Sequence, residues 1–421
     1  MEVTVVRPDE LGTDEVAAWH ALQDQGSELR NPFLSPEFAL AAGQLVPSAR
    51  VAVIEEAGRP AGFFAFEVGR LGSARPVGAW LSDCQGLVHA PEFQPDPGEL
   101  LRGCGISAWQ FDHLVSWQQP FAKYQIATAR SPVIDLAEGS DVYYARLKAE
   151  SPQRNDLGRK TRKIERELGP LRFLIDSSDP QDLRTLMGWK SDQYRRTGRN
   201  DRFDEPWIVE MISRLFDHRP AAEEGQAGFR GLLSMLYAGD QPVAGHFGLA
   251  YGGVLAHWFP AYDSRYSKYS PGLMQLLEMT RQAPGLGISS IDLGKGTARY
   301  KENMKSYDLT VAEGTAIGRP VLGSAIRFRH APARWAAREV RNNQRVFGAA
   351  DRLLKRYGRW KMERVQRSSD QGPGRGSGPG PVAEPGSVSE SGSGSDQSLS
   401  STSCGRGSYM SQDQSAPSRS S

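Results

Sequence analysis

Apolar and polar positions along this chain switch between two periods, and the switches divide it into elements. Over 14–29, Val16, Trp19, Leu22 and Leu29 fall at helix-compatible spacing. A loop follows at Asn31-Pro32-Phe33-Leu34-Ser35, and Ser35-Pro36 predicts the cap and first turn of a short helix ending near Gly43. Residues 51–55 and 61–66 read as strands joined through Ala57-Gly58-Arg59-Pro60 in a hairpin-like pair. Further on, 77–81 reads as a strand, 97–104 as a helix and 108–114 as a strand. This mixed α/β part ends near Leu136.

A second unit starts near Gly139. Residues 154–168 predict a basic helix with Leu157, Ile164 and Leu168 on one face, stopped by Gly169-Pro170. A strand at 171–175 and helices at 180–196 and 205–216 come next. Three strands follow at 229–237, 242–251 and 254–260, separated by Gly239-Asp240 and Gly252-Gly253, which predicts an antiparallel meander. A helix centred on 273–280 leads to strands at 289–293 and 309–316. This order is not that of an alternating βαβ nucleotide-binding sheet.

Composition changes the picture mainly at the C-terminus. The 421 residues are 39% hydrophobic and 24% charged, enough for a normal core in one large or two ordinary domains. The net charge of +2 hides a block at 327–367 with 13 Lys/Arg against 3 Asp/Glu. Trp335, Val340, Phe347, Leu354 and Tyr357 recur along one side of a helix there, so this extension is expected to dock on the core or to meet an anionic lipid surface or phosphate-rich partner. From 368 onward Gly, Ser, Pro and Gln predominate, and too little apolar surface remains to offset chain ordering. No apolar run is long enough to span a membrane. The N-terminus lacks a signal segment, and Cys84, Cys104 and Cys404 fit neither a disulfide scaffold nor a zinc site. A cytoplasmic location is the expectation, with peripheral membrane contact through 327–367 as the alternative.

Three stretches could carry chemistry. At Tyr262 to Leu273, a polar loop with Arg265, Lys268 and Tyr269 runs into a helix beginning at Ser270-Pro271-Gly272. Ser270 is expected to cap that helix, Pro271 to fit its first turn, and Gly272 to leave backbone N–H groups open to a phosphate. An ordinary capped helix beside a solvated loop reads equally well. His246 lies between the small residues Ala244 and Gly248 on one strand face, with His257 on the next strand. Its imidazole could accept a proton, or it could be a satisfied core histidine. The third stretch is Asp292-Leu293-Gly294-Lys295-Gly296, followed by Tyr300, Lys301 and Lys305. The glycines allow close backbone approach, and the stretch could clamp phosphate or orient an acceptor, or merely brace a loop. It is not a P-loop, and no metal ligand set is evident.

Together these stretches resemble the N-acetyltransferase superfamily (GNAT), and in particular the domain of cellulose-biosynthesis (CelD-like) proteins, which is similar to Fem-type peptidyltransferases. The resemblance rests on Tyr262-Asp263, Tyr269-Ser270-Pro271-Gly272, Asp292-Leu293-Gly294-Lys295-Gly296 and Tyr300-Lys301. Asn31-Pro32-Phe33 and Ser82-Asp83-Cys84-Gln85-Gly86 add to it. It implies a mixed-sheet α/β fold with two tandem GNAT-like halves, at 1–138 and 139–320, then a basic helical extension at 321–367 and a tail at 368–421. It implies acyl transfer to a small amine acceptor such as an amino sugar or amino acid, with no permanently bound cofactor. The donor would be acyl-CoA or an acyl carrier protein, or in the Fem-type alternative an aminoacyl-tRNA. A non-catalytic binding module is the third possibility. His246, Asp292, Tyr300 and Lys301 would then be catalytic, and Arg265, Lys268, Tyr269, Ser270 and Gly272 would hold the donor. Thr297-Ala298-Arg299 stands where the family more usually carries an acidic residue.

Overall fold

The computed structural model describes residues 1–319 except 79–80, 151–153 and 221–227, and it gives no side-chain description of 150 or 154–156. The expected extension at 321–367 and tail at 368–421 lie outside the described residues.

The chain opens with β1 (Glu2–Val6), α1 (Thr13–Gln25) and α2 (Pro36–Gly43), then β2 (Ala49–Glu56), β3 (Arg59–Val68), β4 (Ser73–Pro76) and β5 (Val88–His89). Next come α3 (Pro97–Gly103), β6 (Ala108–Val115) and β7 (Gln125–Asp135). After these come α4 (Ser140–Glu150), α5 (Arg154–Leu168), β8 (Leu171–Leu174), α6 (Pro180–Thr197) and α7 (Pro206–Asp217). The meander β9 (Arg230–Ala238), β10 (Gln241–Tyr251) and β11 (Val254–Tyr262) follows, and α8 (Pro271–Gln282), β12 (Ser290–Asp292), α9 (Arg299–Met304) and β13 (Tyr307–Ile317) close the described chain.

Local chemistry sets many of these boundaries. Asp179 accepts the N–H of Gln181 at 2.8 Å to start α6, and Gly198 ends it in the left-handed region at φ +68°. Two boundary expectations need correction. Ser35 does not cap α2; its hydroxyl donates to the Pro32 carbonyl at 2.8 Å, and Pro36 opens the helix unaided. The strand expected at 77–81 lies earlier, at β4, because Val77 and Gly78 (φ +83°) make a turn instead.

Among the described residues all thirteen strands join one sheet in the order β1-β2-β3-β4-β6-β13-β7-β12-β11-β10-β9-β8, with β5 paired to β3 off this path. Followed inward from either edge, the pattern is the same. Three antiparallel steps (β1 to β4, or β8 to β11) are followed by one parallel step, β4 to β6 or β11 to β12. Each half then receives a strand from the other: β13 lies beside β6, and β7 lies beside β12. The sheet is therefore continuous across the boundary expected at 138/139, with the final strands of the two halves exchanged at its centre.

The parallel steps are where the sheet opens. β11 and β12 pair only from Val254 to Ala256 against Ser290 to Asp292, and β11 then continues to Tyr262 with β10 on one side only. The edge of β11 is left without a neighbouring strand there, which is where parallel sheets commonly admit ligands. The corresponding gap between β4 and β6 is bridged by Gln85, whose N–H donates to the His113 carbonyl at 3.0 Å and whose carbonyl accepts from Val115 at 3.1 Å.

Helix α7 packs so closely on β9 that a methyl on Gly231 would lie 2.1 Å from the Leu215 carbonyl oxygen. Two backbones meet there, and neither can rotate away. Gly231→Ala is expected to destabilise the protein by about 3 kcal/mol. The check is a lowered urea midpoint with an unchanged m-value.

Candidate active site

The gap beside β11 is walled by a segment from the first half. Residues 81–87 are held there at three points. The Trp258 indole of β11 donates to the Leu81 carbonyl at 2.9 Å. The Gln118 side chain pairs with both the N–H and the carbonyl of Leu87, at 3.0 and 2.6 Å. The buried Gln85 amide accepts the N–H groups of Asp112 and His113, each at 3.0 Å, and donates to the Asp112 carboxylate at 2.8 Å. Asp83 is thereby fixed, and its carboxylate points at Gly294, where a methyl group would come within 3.3 Å of Oδ2.

Gly294 is the point on which the charged groups converge. Its left-handed φ of +75° turns the chain after β12, so that its N–H reaches back to Asp292 Oδ1 at 2.9 Å. The same Asp292 oxygen accepts from the Ser131 hydroxyl at 2.7 Å. Lys301 of α9 folds over the turn and donates to the carbonyls of Gly294 at 2.8 Å and Lys295 at 3.3 Å. A methyl on Gly294 would lie 3.8 Å from the Lys301 ammonium. Across the gap, Lys190 of α6 donates to the Pro260 carbonyl on the lone edge of β11 at 2.9 Å.

Burial and mutual charge set the proton affinities here. Burial pushes the Asp83 carboxyl up, with Asp292 adding to the rise and His113, Lys301 and Arg202 opposing it. Burial also raises Asp292, against hydrogen bonds from Ser131 and Gly294 and the charges of Lys301 and His113. Lys301 is lowered by burial despite the two carboxylates. Lys190 is pushed down to about 8 by burial and by the cations Arg199, Lys301 and Arg202. The Asp83 side chain still keeps 35% of its exposure, as a group on the floor of a cleft would. It combines a raised proton affinity with access, which is what a proton acceptor requires.

The histidine expected to do that work is placed differently. His246 shares the α8-facing side of β10 with its cross-strand partner Ser234, whose hydroxyl accepts from Gln275 of α8 at 2.9 Å. The ring is fully buried and stacks on His257 at 4.2 Å and 6°. Burial first, then His257 and Lys190, hold it well below the usual histidine range, and His257 is pushed down to about 3. Both imidazoles are therefore neutral. Period-two alternation finds the face on which His246 lies, but it does not show that the face is sealed.

Lys301 reaches the turn from α9, where Tyr300 is its neighbour in the chain; burial raises the Tyr300 phenol. The five residues expected to hold a donor also come together, at the start of α8. Arg265 is paired with Asp263 at 2.6 Å, and Lys268 reaches Glu167 of α5 at 3.5 Å. Tyr269 is buried, and its hydroxyl also donates to Glu167. Ser270 is not a side-chain cap. Its backbone is left-handed at φ +61°, and its hydroxyl accepts from Lys160 of α5 at 3.1 Å. Gly272 keeps the first turn open, the nearest atom to an added methyl being Tyr262 Cδ1 at 3.3 Å. As expected, α5 lies with its apolar side down, Leu157 and Ile164 packing with Val243, Tyr269 and Met274.

Asp83 escaped the sequence reading as a site residue. It was legible only within Ser82-Asp83-Cys84-Gln85-Gly86, because nothing local reveals that 81–87 crosses to the other half. Among the described residues no cluster of three or more His, Cys, Asp or Glu could hold a metal, and no helix is long and apolar enough to cross a membrane.

Residues 151–302 match the family model described as an acetyltransferase (GNAT) domain. No curated protein matches. Among solved structures, FemX is similar at 10% identity and a TM-score of 0.50, covering 76% of this chain and 98% of its own. The C-terminal domain of a lysylphosphatidylglycerol synthetase from Agrobacterium fabrum is similar at 12% identity and a TM-score of 0.46, over 75% and 95% of the two chains. A tandem GNAT protein from the clavulanic acid pathway is similar at 10% identity and a TM-score of 0.42, over 75% and 98%. The chain thus carries an acetyltransferase (GNAT) domain over 151–302 and is an acyltransferase, the domain set within a mixed sheet whose two halves repeat one strand order.

Proposed function

We propose that this protein acylates a small primary amine by direct attack on the donor carbonyl in the gap between β11 and β12. The observation that carries this reading is the convergence of Asp83, Asp292 and Lys301 on the Gly294 turn. Asp83 takes the proton that the acceptor ammonium must lose. The Lys301 ammonium stabilises the oxyanion as it forms. Asp292 holds the turn, and Tyr300 donates a hydrogen bond to the reacting group or its acceptor. His246 and His257 stay neutral and line the layer beneath.

The donor in this reading is an acyl-CoA, or the same phosphopantetheine thioester on a carrier protein. Its phosphates lie at the first turn of α8 beside Gly272, Lys160 and Ser270, where a helix start favours negative charge. The likeness of Tyr269-Ser270-Pro271-Gly272 and the Gly294 turn to CelD-like proteins favours an amino sugar as acceptor. An aminoacyl-tRNA donor is the second reading, supported by Arg159, Lys160, Arg162, Lys163 and Arg166 on α5 beside the same turn.

The test is transfer from acetyl-CoA and longer CoA thioesters to a panel of amino sugars and amino acids, followed by release of free thiol. Amine-dependent thiol release that ribonuclease leaves intact is expected. Transfer seen only from aminoacyl-tRNA, and abolished by ribonuclease, would replace the first reading with the second.

A further inference from the structure

Asp83 has a neighbour that the proposed reaction leaves unused. His113 of β6 points its ring between two carboxylates: Nδ1 lies 2.9 Å from Asp112 Oδ1 and Nε2 lies 3.9 Å from Asp83 Oδ1. We propose that Asp112 and His113 form a positioning pair for Asp83, in which an imidazolium anchored by Asp112 keeps the Asp83 carboxylate charged and aimed at Gly294. This rests on the reading of Asp83 as proton acceptor.

The geometry is built rather than incidental. Gln85 fixes the backbone of both residues and the Asp112 carboxylate with one amide, from the same segment that carries Asp83. Lys295 donates to the Asp112 carbonyl at 2.9 Å and pairs with Glu313 at 2.5 Å, closing the far side. Burial alone would raise Asp112, but hydrogen bonds from His113 and Gln85 and the Lys295 charge outweigh it and hold it ionised. Nδ1 is therefore the donor to Asp112. A bare Nε2 would then turn its lone pair toward a carboxylate. At 3.9 Å the two groups are too far apart for a direct hydrogen bond and meet as an ion pair when Nε2 carries a proton. The other charges facing this proton are Asp292 of β12, Lys301 of α9 and Arg202 ahead of α7.

Removing the imidazolium therefore alters Asp83 without touching substrate. A nearby opposite charge moves a carboxyl by about one to three pH units. His113→Gln is expected to move the acid limb of the kcat/KM profile up by about one unit. Asp112→Asn, which keeps an oxygen for the Gln85 amide, moves it the same way by less, and His113→Lys returns it toward wild type. An acid limb unmoved in His113→Gln overturns the proposal. A second readout needs no substrate: nitrogen NMR of the histidine-labelled full chain, titrated in wild type, Asp83→Asn and Asp112→Asn. The His113 titration is expected to fall in both variants, and a titration indifferent to Asp83→Asn also overturns the pairing. Should Asp83→Asn remain fully active, the acceptor role of Asp83 fails, while the NMR titration still decides whether the pair exists.

Discussion

Asp83→Asn is expected to lower kcat/KM by about 10²- to 10⁴-fold, the usual contribution of a positioned proton acceptor, or about 3–5 kcal/mol of barrier. The substitution keeps the size and shape of the side chain and removes its charge together with its ability to bind a proton. Segment 81–87 is held by Trp258, Gln85 and Gln118, none of which bonds to the Asp83 carboxylate, so the fold and the α8 donor site are expected to survive. The pH profile carries the sign. Burial raises the wild-type carboxyl above its usual range, so activity should climb with pH through that raised value as the carboxylate forms. In Asp83→Asn the climb should be absent and only the basic limb remain. Thiol-release kinetics across pH, with CoA-thioester binding measured separately, check both. Unimpaired turnover with the acid limb intact would move the proton acceptor elsewhere.

Much of the second half was legible in the sequence because its elements carry their own punctuation. Gly239-Asp240 and Gly252-Gly253 sit between apolar and aromatic-rich runs, and the antiparallel pairing of β9, β10 and β11 follows. Asp292, Gly294 and Lys301 could be singled out because a short buried strand, a glycine turn and a lysine lie within one stretch. What stayed hidden was the long-range pairing. β7 alternates exposed and partly buried residues over 125–130 and then becomes fully buried, a pattern without a single period, because its first part pairs only with β13 and its last part also meets β12. The exchange of β7 and β13 between halves leaves no local trace. The same exchange makes the site composite: β13 ties α9 to the first-half sheet, while the second half's Trp258 anchors the first-half segment bearing Asp83. Asp83 lies 209 positions ahead of Asp292 in the chain (292 − 83), so no motif spacing could join them.

Burial also bears on the histidine expectation. His246 stands out in the sequence because imidazole titrates near neutrality, but in the structure it is buried together with His257. The stacked pair keeps its ring nitrogens away from the surface, and the cost of burying a charge holds both rings neutral. In the proposed reaction a carboxylate takes that place, raised by partial burial without being closed off.

Lys301→Met should be the second large effect, a loss of about 10²- to 10³-fold in kcat with a smaller change in KM, as when a donor to the developing oxyanion is removed. Met preserves the length and apolar contacts of the stem and deletes the ammonium. The same ammonium ties down the carbonyls of Gly294 and Lys295, so some of the loss would come from a looser turn. Lys301→Arg separates the two contributions. It keeps the positive charge, but its planar fork cannot occupy the ammonium's position over both carbonyls. It should therefore recover part of the rate while still lacking the basic limb of the profile, because a guanidinium keeps its proton across the working range. That limb has a definite sign: burial lowers Lys301 below the ordinary lysine range, so wild-type activity should fall as pH rises through the lowered value and the ammonium is lost. A Met variant that keeps both its rate and its basic limb would place the oxyanion contact on another donor, and Lys190, pushed down to about 8 on the opposite wall of the gap, is the next residue to replace.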